Sequence, residues 1–546
     1  MLIEERLVRV PETMNSHLFL GMDLSTQQLK AIVIDDQCHV VNSAAVNFAS
    51  ELPEFKTENG VHRHSDGRTV TSPVHMWLKA IDACFTKLTK SVDVARIRAI
   101  SGCGQQHGTV YWNGNAEKCL SNLCKSDNLS EALKDAFAKN DSPIWMDSST
   151  TEECEHMESA LGGPVALANI TGSRAFHRFS GNQILKIIRK EKPVYDLTER
   201  ISLVSSFVPS ILCGRIVDID EGDAGGMNLM DVKKGAWSEQ CLAVLAPTHK
   251  EVEILVKKLG SICSSQAVLG TISSYFCERY GFSPKCEIVA FTGDNLSSLA
   301  GLCLQSGDVA VSLGTSDTLF LSLSSYRPAL EGHIFKNPID SSAFMGMLCF
   351  KNGSFTRNRI RKMVVASDWN AFAALVTRTP PGNNGNIGFY FDDNEIVPNV
   401  SRGDYRFNSH GEQVSHFAVE TEARAVLEHQ CLAKRLHAEN IGYDISNRNR
   451  IFVTGGASGN KHIAQILADV FNCCVYARES TDSAALGGAL RARHCSIYSG
   501  NNFFDISTNA TSSHLIAEPN SEAVKVYDRL LSIYAQLEKR ITSQAL

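Results

Sequence analysis

The chain has 546 residues, 43% hydrophobic and 21% charged, the balance of a globular protein and not of a disordered tail or a fibre. At roughly 150 residues per domain, that is room for two large domains or three to four smaller ones. Fifty-nine acidic residues against 53 basic ones leave a net charge of −6 with no basic block, which excludes an electrostatic footprint for nucleic acid.

Residues 1–16 read as a loose leader. LFLGMDL (18–24) and LKAIVID (29–35) read as apolar strands joined by a polar STQQ turn, a hairpin signal, and HVVNSAAVNF (39–48) as a third strand. Ser72-Pro73 predicts a helix start, with serine as the N-cap and proline as the first residue. Val74, Trp77, Leu78, Ile81, Phe85 and Leu88 then recur at helical spacing. RIRAISG (96–102) and TVYW (109–112) add strands, so the opening reads β-β-β-α-β. EIVAFTGDN (287–295) is a strand ending in a polar loop. DVAVSLGTSDTLFLSLS (308–324) is a second hairpin, around a Gly-Thr-Ser turn. Residues 376–412, rich in Gly, Asn and Pro, predict a long surface excursion. A helix follows over 421–438, and IFVTGGASGN (451–460) is a strand running into a glycine turn and a helix. The recurrent hairpin with its acid and threonine predicts two related α/β domains facing one cleft, over 17–285 and 286–546. The N-terminal MLIEERLVRVPE has acids where a secretory signal would be apolar. No apolar stretch reaches the roughly 18 residues of a membrane span. Seventeen scattered cysteines, without a C-x-x-C pair, suit a reducing, cytoplasmic setting.

There is no G-x-x-x-x-G-K phosphate loop. GCGQQHG (102–108) has the wrong spacing for a dinucleotide fingerprint and precedes a strand. His62 and His64 form an H-x-H without supporting ligands for zinc. Phosphate, if handled, falls to turn amides. The candidate turns are Asp23–Gln27, Gly314–Asp317 and Gly455–Ser458. Asp23 either holds Mg²⁺ through water or caps its own turn. Asp294, after a buried strand, is either a general base or an Asx-turn former. Gln105, Gln106 and His107 offer donors and acceptors for a polyhydroxylated ligand, or a satisfied structural histidine. Asp147, Arg178, Asn182 and Gln183, beside Trp145 and Phe179, fit a carbohydrate pocket or an ordinary domain edge.

These motifs together, with GMDLSTQQLK, SGCGQQHG, PIWMDSSTT, TGSRAFHRFSGNQ, VAFTGDN, VSLGTSDTLFL, LEGHIFKNP and TGGAS in this order, make a chain that resembles the FGGY family of carbohydrate kinases from Leu18 to about Arg493. The resemblance implies two actin-like (ribonuclease-H-like) domains around a central cleft. It implies ATP-dependent phosphorylation of D-xylulose at the C5 hydroxyl, with ATP and Mg²⁺, no membrane or nucleic-acid partner, and a monomer or small homo-oligomer. By motif, His107, Arg178, Asp294 and Asn295 would contact the sugar, with Asp294 as the base. Gly455, Gly456 and Asn460 would meet the nucleotide, and Trp369 would flank the adenine. Gly314 and Thr315 match the second phosphate turn, Asp23 and Thr26 the first. Ser25 and Gln28 replace the glycine and serine of the family's first turn. Lys186-Ile187-Ile188 lacks a usual tryptophan. His429 stands where glycine is usual, which predicts an altered helix contact near the nucleotide. The remaining readings are the same chemistry on another pentulose or a polyol, a pseudokinase, and a non-enzymatic actin-like ATP-driven switch.

Overall fold

The computed structural model describes residues 17–125, 127–366, 368–446, 450–478, 482–507, 510 and 512–543. The leader at 1–16 lies outside them. Two mixed sheets organise the chain. In the first, the hairpin β1 (Leu18–Leu24) and β2 (Gln28–Asp35) continues antiparallel into β3 (Val40–Asn47). On its other side β1 pairs parallel with β4 (Ile97–Gly104). The sheet closes with β5 (Val268–Thr271), β6 (Glu287–Val289) and β7 (Thr292–Gly293), in the order β5-β6-β4-β1-β2-β3, with β7 also on β4.

The second sheet repeats this plan. The hairpin β8 (Val309–Leu313) and β9 (Asp317–Leu323) is followed by β10 (His333–Lys336) and β11 (Phe344–Phe350). On the other side β8 pairs parallel with β12 (Arg450–Thr454), then β13 (Cys474–Arg478), and β14 (Ser513–Ala517) closes antiparallel. The order is β10-β11-β9-β8-β12-β13-β14. Apart from β10 and β7, each strand has a counterpart in the other sheet, in the same order and direction. The expected pair of related α/β domains is therefore present.

Alternation explains why the central strands read as unbroken apolar runs. Leu18, Leu20 and Met22 of β1 face the first domain's core, while Phe19 faces the second sheet. Val309 and Val311 of β8 likewise face the second core and Ala310 the first sheet. A strand buried on both faces has no polar side to show. Between the sheets run two helices, α1 (Asp294–Gly301) and α3 (Ser483–Ile497); α2 (Lys461–Phe471) lies on the second domain. Helix α3 comes from the second half yet lies on β1 and β4 of the first. Only glycine permits it. A β-carbon on Gly21 would run into the Ala485 carbonyl, and one on Gly487 into the Ser297 carbonyl of α1.

Three expectations need correction. The division at 285/286 falls inside the first sheet, because β6 and β7 pair with β4; the change of sheet comes after Gly293. The stretch 376–412 is no mere surface excursion: Ile387–Phe391 is a wholly buried strand, paired with Gly403–Phe407 and packed under the helix Val419–Asn440. Pro73, not Ser72, caps the first long helix, Val74–Leu88, while the Ser72 hydroxyl donates to the Gly60 carbonyl.

Candidate active site

Parallel register builds the site. Asp23 pairs with Cys103 on one side of β4, and Thr292 pairs with Cys103 on the other. Two inter-strand spacings set the Asp23 and Thr292 backbones roughly 10 Å apart. Just beyond this row the three strands release into Ser25–Gln27, Gln105–Gly108 and Asp294, so the signals read separately along the chain open at one sheet edge.

Asp294 is the first residue of α1, with Gly293 as N-cap. Its carboxylate accepts from the Asn295 backbone N–H at 2.8 Å and from Asn295 Nδ2 at 3.0 Å. Burial, reinforced by the negative charge of Asp23, pushes its pKa up to about 7. Asp23 is also raised by burial; its donors are the Ser25 hydroxyl at 2.6 Å and the Cys103 thiol at 3.4 Å. Lys30, the cation whose field reaches it, is paired with Asp482.

Asn295 is held by a chain of buried amides and carboxyls. Its Nδ2 donates to Gln106 Oε1 at 2.7 Å, and Gln106 Nε2 donates to Asp223 at 3.3 Å. Asp223 also accepts from the Ser205 hydroxyl at 2.6 Å. Burial and neighbouring Asp220 raise Asp223 to about 8. Asp220 itself caps the turn that carries Asp223, accepting from the Gly222 and Asp223 amides. Asp220 and Asp223 belong to none of the motifs read from the sequence; the run DIDEGDAGG (218–226) is the signal that carries them. Both amide atoms of buried Gln105 lack a partner among the described residues.

His107 sits at φ +71°, in the left-handed region. Its Nδ1 donates to the Gly226 carbonyl at 3.0 Å, which leaves Nε2 as an acceptor, and its ring stacks on Phe179 at 4.5 Å. Burial, then the charge of Arg178, lowers its pKa to about 3, so it stays neutral. Arg178 lies over Phe176 and Phe179, at 5.1 and 5.9 Å from the ring centres, and donates to Nε2 of His333 at 2.9 Å. No carboxylate pairs with it among the described residues. Asp147, Asn182 and Gln183 take structural parts: Gln183 donates to Asp147, and Asn182 to the Phe176 carbonyl, fixing the segment that carries Arg178. Trp145 donates to the Thr26 hydroxyl at 2.9 Å.

The second sheet presents a different edge. Ser312 of β8 pairs with Thr454 of β12, so the Gly314 and Gly455 turns emerge side by side. Gly455 has φ +87°, and a β-carbon there would come within 2.7 Å of the Leu313 carbonyl; Gly456 faces open space. Asn460 caps α2, accepting from the His462 and Ile463 amides at 3.0 and 3.2 Å. Thr315 is exposed at the turn tip, and the Gly314 carbonyl accepts from the Ser354 amide at 2.9 Å. Trp369 starts a separate helix, Trp369–Val376, 40% exposed with the Arg361 guanidinium 5.4 Å over its ring. Among the described residues it shares no hydrogen bond or ring contact with the Gly455 turn.

Asp317, which ends the second turn, is committed to two buried cations. Burial would raise it, but Lys434 at 2.9 Å and Arg357 at 2.7 Å hold its pKa below the ordinary value. Among the described residues His429 shares no hydrogen bond or ring contact with the glycine turn. It lies in the second domain's core among Phe389, Tyr390 and Phe391, with Nδ1 2.8 Å from the Tyr534 hydroxyl.

Residues 18–301 match the N-terminal domain, and residues 309–495 the C-terminal domain, of the FGGY family of carbohydrate kinases. The chain is 50% identical to the xylulose kinase of Rattus norvegicus over 528 residues, 96% of this chain and 97% of that one. It is 45% identical to xylulose kinase 2 of Arabidopsis thaliana over 492 residues, 87% of each. Among solved structures, ligand-bound xylulose kinase and gluconate kinase, both from Lactobacillus acidophilus, each superpose with a TM-score of 0.77 at 17% identity, covering 97% of this chain and 99% of theirs. That likeness concerns the fold alone, since it is equal for kinases of two different sugars. The chain belongs to the FGGY family of carbohydrate kinases.

Proposed function

We propose that this kinase transfers the γ-phosphoryl group of MgATP to the C5 hydroxyl of D-xylulose, giving D-xylulose 5-phosphate and ADP. The choice of sugar follows the full-length relatives at 45–50% identity, which are xylulose kinases. The observation that carries the chemistry is Asp294: a carboxylate crowded by Asp23, raised to about 7, at the mouth of the first sheet edge. A base with a pKa near the working pH is both available and strong enough to take a hydroxyl proton.

In this reading His107, Arg178 and Asn295 hold the sugar. Neutral His107 offers Nε2 to a hydroxyl, Arg178 donates to oxygen, and Asn295 is kept in orientation by Gln106. Asp294 accepts the C5 hydroxyl proton as the oxygen attacks phosphorus in line. The backbone amides of the Gly314 and Gly455 turns, the N-terminal end of α2 and the Thr26 turn would face the phosphates, with Trp369 toward the adenine. Mg²⁺ belongs to the nucleotide substrate. Asp23 fits a cation, because among the described residues only a hydroxyl and a thiol hydrogen-bond to it and Lys30 is committed to Asp482. When bound, the ion neutralises charge on the moving phosphoryl group. Closure of the domains excludes water as a competing acceptor.

The test is ADP release with D-xylulose, ribulose, gluconate and glycerol. D-xylulose should give the highest kcat/KM, and the product should carry phosphorus on C5 by ³¹P–¹³C coupling. Sugar-independent ADP release, or none, would remove the kinase reading; preference for another acceptor would remove only the sugar.

A further inference from the structure

The sugar side of the site is not built by the first domain alone. Strand β10 belongs to the second sheet, where His333 pairs with Met347 of β11. Yet β10 is fastened to the first domain around Arg178. The Ile334 amide donates to the Gly172 carbonyl at 3.0 Å, and Gly172, at φ +81°, has no room for a β-carbon against the Ile334 carbonyl. The Tyr326 hydroxyl, on the approach to β10, donates to the Ala168 carbonyl at 3.0 Å. Phe335 packs on Gly225.

His333 is 3% exposed at this junction, its ring 4.6 Å from Phe176 and 5.2 Å from Phe179. Its Nε2 lies 2.9 Å from Arg178 Nη2. A guanidinium can only donate, so Nε2 must be a lone pair and the ring proton must sit on Nδ1. That Nδ1 is buried with no partner among the described residues. An unpaired buried N–H costs stability that a phenylalanine in the same place would not. The imidazole is therefore poorly explained by packing and well explained by its acceptor. A carboxylate here would hold Arg178 equally well but would neutralise it. A neutral acceptor fixes the guanidinium and leaves its charge for the ligand. Burial, then Arg178 and His107, keeps His333 neutral.

We infer that His333 is a positioning residue for the sugar site: the second domain, through Nε2, orients Arg178 over Phe176 and Phe179, so that this contact is assembled only when the domains are docked. The inference rests on the sugar role proposed for Arg178, and the experiment separates the two.

The experiment is a double-mutant cycle of His333→Phe and Arg178→Gln, reading KM for D-xylulose, KM for ATP, kcat and Tm. His333→Phe should raise the D-xylulose KM about tenfold, leave the ATP KM within about twofold and not lower Tm. His333→Gln, whose Oε1 can accept, should recover to within about threefold of the parent. In the Arg178→Gln background, His333→Phe should add less than about twofold. A normal D-xylulose KM in His333→Phe, or additive effects in the double variant, overturns the inference while leaving Arg178 at the sugar. A normal KM in Arg178→Gln overturns the sugar role of Arg178 and the inference with it. If His333→Phe does not fold, His333→Met, flexible and without a strong acceptor, carries the same cycle.

Discussion

Asp294 and Asp317 stand at corresponding ends of the two sheets, one opening a helix and half-buried, the other opening β9 and fully buried. Their electrostatics are opposite. Asp317 lies between Arg357 and Lys434 and is held ionised. Asp294 faces another carboxylate, Asp23, and is pushed toward neutrality at about 7. A carboxylate whose charge is matched inside the protein is a structural tie. One crowded by like charge is costly to keep and gains a favourable partner only when a cation or a proton donor arrives. The halves share a topology and divide the work: the first edge carries acids, amides and imidazole, the second glycines and a hydroxyl.

The contrast can be broken most directly at Asp294. Asp294→Asn should lower kcat by roughly 10²–10⁴-fold, with the fold and ATP affinity kept, because asparagine preserves the turn and cannot take a proton. Activity within a few-fold of the parent would make Asp294 a turn former like any other. Asp317→Asn should do the reverse. It strands two buried cations and should cost about 3–5 kcal/mol of stability in a denaturant titration, while the folded fraction keeps its kinetic constants.

Titration sharpens the same difference. The base must be ionised to work, so kcat/KM should fall on the acid side with an apparent pKa near 7 and level off above it. Asp23→Asn removes the negative charge that raises Asp294, so its acid limb should move to lower pH, alongside a weaker MgATP KM. An unmoved limb would mean the two carboxylates do not sense each other. The smallest effect is expected at the second edge. A β-carbon at Gly456 meets no atom of the described residues within 4 Å, so Tm of Gly456→Ala should hold within about a degree while the ATP KM rises about two- to fivefold. An unchanged KM would place the nucleotide elsewhere.

Much of this was legible in the residue string. Strands buried on both faces leave long apolar runs, and the turns of Asp23, Gly314 and Gly455 stand out between them. His107, Asp294 and Asn295 follow strands directly, so their place at a sheet edge could be read locally. Other parts arise only in three dimensions. Asp223 reaches Gln106 across 117 positions, from a helix of four residues with no periodicity to detect. His333 meets Arg178 from the other domain. The buried strand Ile387–Phe391 is hidden because flanking Gly, Asn and Pro swamp its five residues in any composition window. The true change of sheet is hard to read because β6 and β7 are only three and two residues long, and their pairing with β4 is set by partners nearly 190 positions away.

The glycine-lined seat of α3 has a consequence for how the protein is made. Gly21 and Gly102 near the start of the chain lie against Ala485 and Gly488 near its end, and Arg491 reaches the carbonyls of Gly102 and Ala290. A ribosome must therefore release almost the entire polypeptide before the inner face of the first sheet can be covered. Until then Phe19, Ile32 and Ala99 remain open to water on a sheet that is otherwise ready to form. Contacts of such separation form late and slowly, and the exposed face in the meantime is one a chaperone would bind. Truncation before residue 483 should thus yield an aggregating first domain and not a soluble half-enzyme, even though every residue of its own sheet is present.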